Sequence, residues 1–327
     1  MESVLYPLKF KPIFKEKIWG GQKINRVLGL DTGTLPNCGE CWLLSDIEGD
    51  VSEVTNGFLS ENGLDEMVEI YMGDLVGDKV FEKSQLGFPL LIKFIDAAAN
   101  LSVQVHPDDK WAKEHYDSNG KTEMWHVIDA EPGAGLYVGF KKGVTRDQYL
   151  KSVAEGTVDQ LLQFYPVQKG DTFFIPAGTV HAIGAGVLLA EIQESSDITF
   201  RIFDWNRVDA QGKPRELHTE EALQVLDFKQ PNPFKVDYQP KFNASVPVVR
   251  SEFFNLNMIN LDKPLQKVYM KIDSFVLYIC LEGQAHFIRD GIHEEIGKGE
   301  VLLLPASMPD INIIPMGKTQ LMEVYID

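Results

Sequence analysis

The sequence predicts a mainly β chain, folded as two small antiparallel barrels with a few helices, the second barrel degenerate. Three observations carry that expectation. Most of the 327 residues read as short strand-like runs broken by Gly, Pro, Asn and Asp. Stretches with 3.6-residue periodicity are few. One block also recurs: Gly170-Asp-Thr-Phe-Phe-Ile-Pro-Ala-Gly-Thr-Val-His181 aligns without gaps on Gly299-Glu-Val-Leu-Leu-Leu-Pro-Ala-Ser-Met-Pro-Asp310.

In chain order, the apolar and alternating runs predict strands over 40–46, 90–96, 101–106, 123–129, 135–140, 172–176, 187–192 and 199–203. A second group covers 253–261, 267–273, 275–281, 284–288, 301–304 and 320–326. Helical spacing is confined to 61–71, 145–164 and 219–226; the last has acidic residues in its first turn. Pro231, Pro233, Pro240 and Pro247 mark 229–248 as a connection. The expected organisation is therefore a catalytic half over 1–228 with helical insertions, a linker over 229–248 and a degenerate half over 249–327.

The repeat extends upstream. Met124-Trp-His-Val-Ile-Asp-Ala-Glu131 aligns on Phe275-Val-Leu-Tyr-Ile-Cys-Leu-Glu282, which sets Glu123 against Ser274 and His181 against Asp310. Only the first copy keeps metal-ligand residue types. Its polar set is Gln104, His106, Glu123 and His181. Gln104 and His106 are two apart on one strand-like run and leave the same face. Glu123 opens another run, and His181 follows a Pro-x-Gly turn. Oxygen and nitrogen donors converging from several strands suit a divalent metal, and catalytic zinc keeps few protein ligands with a position open. His126 points away from Glu123 by strand parity. His115, His218, His286 and His293 lack comparable context and read as surface or structural.

Composition bounds the partners. With 31 Lys and Arg against 48 Asp and Glu the formal charge is −17, which excludes a broad basic surface for nucleic acid or anionic membrane. An anionic small molecule needs only a local cationic cluster, and Lys93, Ser102, Lys121 and Arg201 border the ligand segments. Arginine suits phosphate because its planar fork meets two oxygens. No signal-peptide pattern or membrane-length apolar run is present, so a cytoplasmic protein is expected. Cys38-Gly-Glu-Cys41 has redox spacing but leads into an apolar strand-like run, and it is read as structural.

The Gly-Asp-x-x-x-Ile-Pro-x-Gly-x-x-His block resembles the second half of the cupin metal motif, which implies jelly-roll barrels. Gln104-Val-His106-Pro-Asp108 after Leu101-Ser102, with Lys121-Thr-Glu123, Gly39-Glu-Cys-Trp42 and Phe203-Asp-Trp-Asn-Arg207, resembles type I mannose-6-phosphate isomerases in their short bacterial form. That resemblance implies one Zn2+ per chain held by Gln104, His106, Glu123 and His181. It further implies substrate or phosphate contact by Lys93, Ser102 and Arg201, and interconversion of mannose 6-phosphate and fructose 6-phosphate through a cis-enediol. Lys121 and Glu191 are the candidates for the base, and Arg201 either stabilises the enediolate or holds the phosphate. Asp197 is expected to orient Arg201 or Lys121. The alternative is a non-catalytic bicupin that binds sugar or metal. The oligomeric state is not set by the sequence.

Overall fold

A computed structural model describes residues 5–84, 87–208, 211–229 and 233–327; Pro231 lies outside them. The described chain is mainly β, with four sheets large enough to build cores. A seven-stranded sheet runs in the order Lys235–Val236, Thr172–Ile175, Glu123–Ala130, Val187–Glu194, Leu90–Ala97, Ile13–Gly21 and Cys38–Leu44. A five-stranded sheet faces it, in the order Leu162–Pro166, Gly135–Phe140, His181–Ile183, Val103–Val105 and Phe200–Phe203. The second half repeats the scheme. Six strands, Leu8–Lys9, Val301–Leu304, Val276–Glu282, Thr319–Tyr325, Asn255–Leu261 and Ala244–Arg250, face four, Leu265–Val268, Asp310–Pro315, Gln284–Arg289 and Ile292–Gly297.

Side-chain alternation assigns each face its work. On Val187–Glu194, Val187 and Leu189 enter the core between the seven- and five-stranded sheets. Leu188, Ala190 and Ile192 point the other way, into a core shared with the six-stranded sheet of the second half. On Val276–Glu282, Leu277, Ile279 and Leu281 meet them there, while Val276, Tyr278 and Cys280 fill the second half's own interior. Each fully buried Leu, Ile or Val is worth about 1.5–3 kcal/mol. Strands buried on both faces explain why runs such as Val-Leu-Leu-Ala-Glu-Ile carry no polar alternation. Helices Arg146–Glu155 and Thr219–Val225 cover the outer face of the five-stranded sheet through Tyr149 and Ala222.

Several expected boundaries differ. The periodic stretch 145–164 is a helix only over Arg146–Glu155, capped by Thr145 and Gln148 and stopped by Gly156 in the left-handed region. A short 3-10 turn follows, and Leu162–Pro166 is a strand at the sheet edge, where its aromatic residues suit β packing. The run 267–273 is a strand only to Val268. Strand Ile13–Gly21 escapes sequence reading because Lys15, Glu16 and Lys17 interrupt its apolar pattern.

The repeat is physical, with one shift. Thr172–Ile175 and His181–Ile183 correspond to Val301–Leu304 and the start of Asp310–Pro315, as aligned. Upstream, Ile175 pairs with Glu123, whereas Leu304 pairs with Val276 rather than Ser274. The turn hydrogen bonds agree: Gly170 N–H donates to Val127 O, and Gly299 N–H to Cys280 O, each at 2.8 Å. Val276 is thus the positional counterpart of Glu123, two residues from the gapless alignment and on the same face. Ser274 instead accepts from Ile326 N–H at the end of the last strand.

Candidate metal centre and its cavity

The inward faces of the two opposed sheets bring the predicted ligands together. Gln104 is register-paired with both His181 and Arg201, on neighbouring strands. Glu123 arrives from the opposing sheet. The loop to His181 needs Gly178: it sits at φ +80°, and an added Cβ would come within 2.9 Å of Val225 O. Gly178 N–H donates to His106 O at 2.8 Å, tying the two histidine segments together.

His106, Glu123 and His181 place ligand atoms within 4.8 Å of one another. His106 Nε2 lies 3.3 Å from Glu123 Oε1 and His181 Nε2 lies 3.7 Å from Oε2. The Gln104 amide lies 3.5 Å from His106 Nε2 and 3.2 Å from His181 Nε2. A half-turn of that amide presents Oε1 at the same point. Each imidazole uses its other nitrogen on a backbone carbonyl: His106 Nδ1 on Ile198 O and His181 Nδ1 on Thr179 O, both at 2.8 Å. That arrangement fixes the tautomer and turns both Nε2 lone pairs inward, as metal-binding histidines require.

Electrostatics agree with a cation. Burial, followed by the charge of Lys121, pushes His106 down to about 3, and burial also lowers His181, so both rings are neutral donors at neutral pH. Burial penalises the Glu123 carboxylate, but Lys121 and the two histidines outweigh it and hold the group well below its usual range. Among the described residues both Glu123 oxygens are buried without a hydrogen-bond partner; Lys121 Nζ lies 3.3 Å from Oε1. An ionised carboxylate left in this way is costly unless something completes it. The donor set of one carboxylate, two imidazoles and an amide fits a divalent metal.

Above this cluster lies a cavity of about 370 Å3. Lys93, Ser102, Gln104, Lys121, Glu191, Asp197 and Arg201 all line it. Lys93 Nζ contacts Glu191 Oε1 at 3.2 Å, and Trp125 Nε1–H donates to Glu191 Oε2 at 2.8 Å. Burial and the neighbouring Glu123 raise Glu191 above the usual carboxylate range, against Lys93 and Lys121. Arg201 Nη1 donates to Glu216 O at 2.9 Å. Asp197 is exposed at the mouth and forms no ion pair with Arg201 or Lys121 among the described residues.

Sequence reading missed part of the wall. Lys17, Trp19, Glu40, Trp42 and Arg215 line the same cavity. Lys17 Nζ lies 3.5 Å from Glu40 Oε2, Trp42 Nε1–H donates to Glu40 at 2.7 Å, and Lys93 Nζ sits 5.3 Å from the Trp42 ring centroid. The signal for Glu40 and Trp42 was their two-residue spacing, which puts both on the face that also carries Lys93 and Glu191. His126 lies on the opposite face, as parity predicted, bonded to Thr172. Cys38 and Cys41 are buried and free, and burial pushes the Cys38 thiol up to about 11, so neither supplies a thiolate.

Residues 7–131 match the family model for the phosphomannose isomerase type I catalytic domain. Mannose-6-phosphate isomerase ManA of Bacillus subtilis is 35% identical over 316 residues, covering 94% of this chain and 95% of the relative. Mannose-6-phosphate isomerase of Streptococcus mutans is 36% identical over 301 residues, covering 91% and 92%. The crystal structure of a Bacillus subtilis mannose 6-phosphate isomerase superposes with a TM-score of 0.86 at 29% identity, covering 98% of this chain and 99% of that one.

Proposed function

The chain belongs to the type I mannose-6-phosphate isomerases, and from that premise we propose that its buried ligand set holds one Zn2+ and that the cavity above it carries the reaction. The enzyme interconverts mannose 6-phosphate and fructose 6-phosphate by moving a proton between C1 and C2 through a cis-enediol. The single observation that carries the metal assignment is the Glu123 carboxylate, buried between two inward-facing imidazoles with neither oxygen hydrogen-bonded.

Gln104, His106, Glu123 and His181 are the proposed ligands. A bound divalent ion supplies Lewis acidity and a fixed point for sugar oxygens. Glu191 is assigned the base: its raised pKa brings it toward the working range, and Lys93 and Trp125 fix its carboxylate on the cavity wall. Lys121 faces the same space and stabilises charge on the substrate oxygens. Lys93 and Ser102 contact the sugar phosphate together with Arg201, and Asp197 meets substrate hydroxyls at the mouth. Lys121 closes the inner end of the cavity beside Glu123. A positioned base contributes roughly 10²–10⁴-fold, so no single group in this set carries the whole acceleration.

The division of labour proposed for the chain is chemistry in 1–228, a connection over 229–248 and scaffold in 249–327. The site takes a small phosphosugar rather than nucleic acid, in keeping with the −17 charge, and the cytoplasm is the proposed location. No helix among the described residues is long and apolar enough to cross a membrane.

The test is a coupled assay of fructose 6-phosphate formation before chelation, after chelation and after reloading with Zn2+, Mn2+ or Co2+. Activity is expected to vanish with the metal and return most fully with zinc. Full turnover by verified metal-free protein overturns the metal assignment. Best recovery with another ion overturns only the choice of zinc.

A further inference from the structure

We propose that Arg215, aligned by Asp204, is the second guanidinium of the phosphate end of this cavity and sets the preference for phosphorylated over free sugar. The proposal rests on the isomerase reading above and deepens it.

The segment after strand Phe200–Phe203 folds back beside that strand. His218 N–H donates to Arg201 O at 2.8 Å, Arg201 N–H donates to His218 Nδ1 at 3.1 Å, and Arg201 Nη1 donates to Glu216 O at 2.9 Å. Arg215 is therefore carried to the same rim as Arg201, and both line the cavity. Arg215 Nε and Nη2 donate to the two Asp204 oxygens at 2.7 and 2.6 Å. A bidentate hold of this kind fixes the plane of the guanidinium and leaves Nη1 free for another acceptor.

Arg207 provides the contrast. It also binds Asp204, but it spends Nη1 on Asn100 O at 2.6 Å and takes no part in the cavity wall. Asp204 thus binds two guanidiniums with one carboxylate, Arg201 stands beside them without an acidic side-chain partner among the described residues, and the other acids close by, Asp197 and Glu216, are exposed to solvent. In a chain with 17 more acidic than basic groups, such a local excess of positive charge at a cavity needs an anion. A second, independent observation agrees: Arg201 keeps a buried Nε–H with no acceptor among the described residues. Buried donors are rarely left so, and a phosphoryl group offers several acceptor oxygens to two guanidiniums at once.

The experiment uses the metal-loaded enzyme and the variants Arg215→Ala and Arg215→Lys. It reads kcat and KM for mannose 6-phosphate, the affinity for inorganic phosphate by calorimetry, and metal content. For Arg215→Ala, KM and the phosphate dissociation constant are expected to rise together by about 10- to 100-fold, the range for losing one charged hydrogen-bond partner. The kcat is expected to stay within about threefold, and metal content unchanged, because the lost interaction is made equally in ground and transition states. Arg215→Lys keeps the charge but not the bidentate hold and should fall between; it carries the test alone if the alanine variant does not fold. Unchanged phosphate affinity overturns the proposal, as does a fall in kcat without a rise in KM. Failure of the wild type to turn over mannose 6-phosphate strikes instead at the isomerase reading, and the calorimetry still decides the role of Arg215.

Discussion

Replacing Trp125 by Phe separates the chemistry of Glu191 from the stability of the core around it. Trp125 is fully buried, donates its indole N–H to Glu191 Oε2 at 2.8 Å, and sets its ring edge-on to His181 at 5.2 Å between centroids. Phe keeps an aromatic ring against His181 but removes the donor. A hydrogen bond to a charged acceptor is worth about 1.5–3 kcal/mol, and the smaller ring leaves a void costing about 1 kcal/mol more. The folded enzyme is therefore expected to lose about 2–4 kcal/mol in a urea titration. The indole bond lowers the pKa of Glu191, opposing burial and the repulsion from Glu123 that raise it. Its loss should lift that pKa further. A base must be ionised to act, so the acid limb of kcat/KM against pH is expected to move to higher pH. Metal content is measured alongside, to exclude a disturbed ligand set. A variant destabilised as calculated whose acid limb stays in place would refute the assignment of Glu191 as the base.

Two other perturbations probe regions away from the reacting atoms. Glu194 is buried against Asp109 and accepts from Thr122 N–H at 2.6 Å; burial, reinforced by Asp109, raises its pKa from 4.5 to about 8. A raised carboxyl pKa gives stability that is fully present below pH 4.5 and is lost as pH rises through 8, up to a bound of about 5 kcal/mol. Glu194→Gln should thus stabilise the protein by about 1–3 kcal/mol at pH 9 and by nothing at pH 4, and equal effects at the two values sink the idea. In the second half, Lys267 Nζ lies 2.8 Å from Glu323 Oε1 in the interior. Lys267→Met removes the cation from that carboxylate, leaving it the hydrogen bonds from Asn257 and Tyr269, and should cost about 3–5 kcal/mol in denaturant, while kcat of the folded fraction stays at the wild-type value. A lowered kcat in well-folded protein would bring the second half into the chemistry.

Much of the fold was legible where one physical cause dominated. Strands buried on both faces, such as Leu90–Ala97 and Val187–Glu194, announce themselves as mostly apolar runs. Lys93 and Glu191 interrupt those runs, and register pairs them across neighbouring strands. Two strands were harder. Lys15, Glu16 and Lys17 break the apolar pattern of Ile13–Gly21, and Leu162–Pro166 continues a helical period, so only partner strands identify them. The ligand set was visible because His106, Glu123 and His181 each open or close a strand-like run, and Gln104 shares a face with His106. Arg215 was not, because it stands in a polar loop whose only recommendation is tertiary: it returns beside Arg201 and meets Asp204.

The two halves also separate what the fold requires from what the chemistry requires. Both build the same turn, with Val127 N–H donating to Asp171 O at 2.8 Å in the first and Cys280 N–H to Glu300 O at 3.0 Å in the second. At the strand position opposite Ile175 the first half has Glu123, and opposite Leu304 the second has Val276, buried in an apolar core. The architecture therefore closes with a valine at this point. A buried carboxylate in its place, beside two imidazoles that are neutral at pH 7 and without one hydrogen bond to either oxygen, is a cost that packing does not explain. Lys121 offsets part of it through a single contact at 3.3 Å. Only a group bound by Glu123, His106 and His181 together would offset the rest, so metal loading should stabilise the first half far more than the second. Hydrogen exchange with and without Zn2+ reads that difference directly: protection should rise in strands Glu123–Ala130 and His181–Ile183 and stay level in Val276–Glu282. Equal protection in both halves would remove the energetic case for a metal.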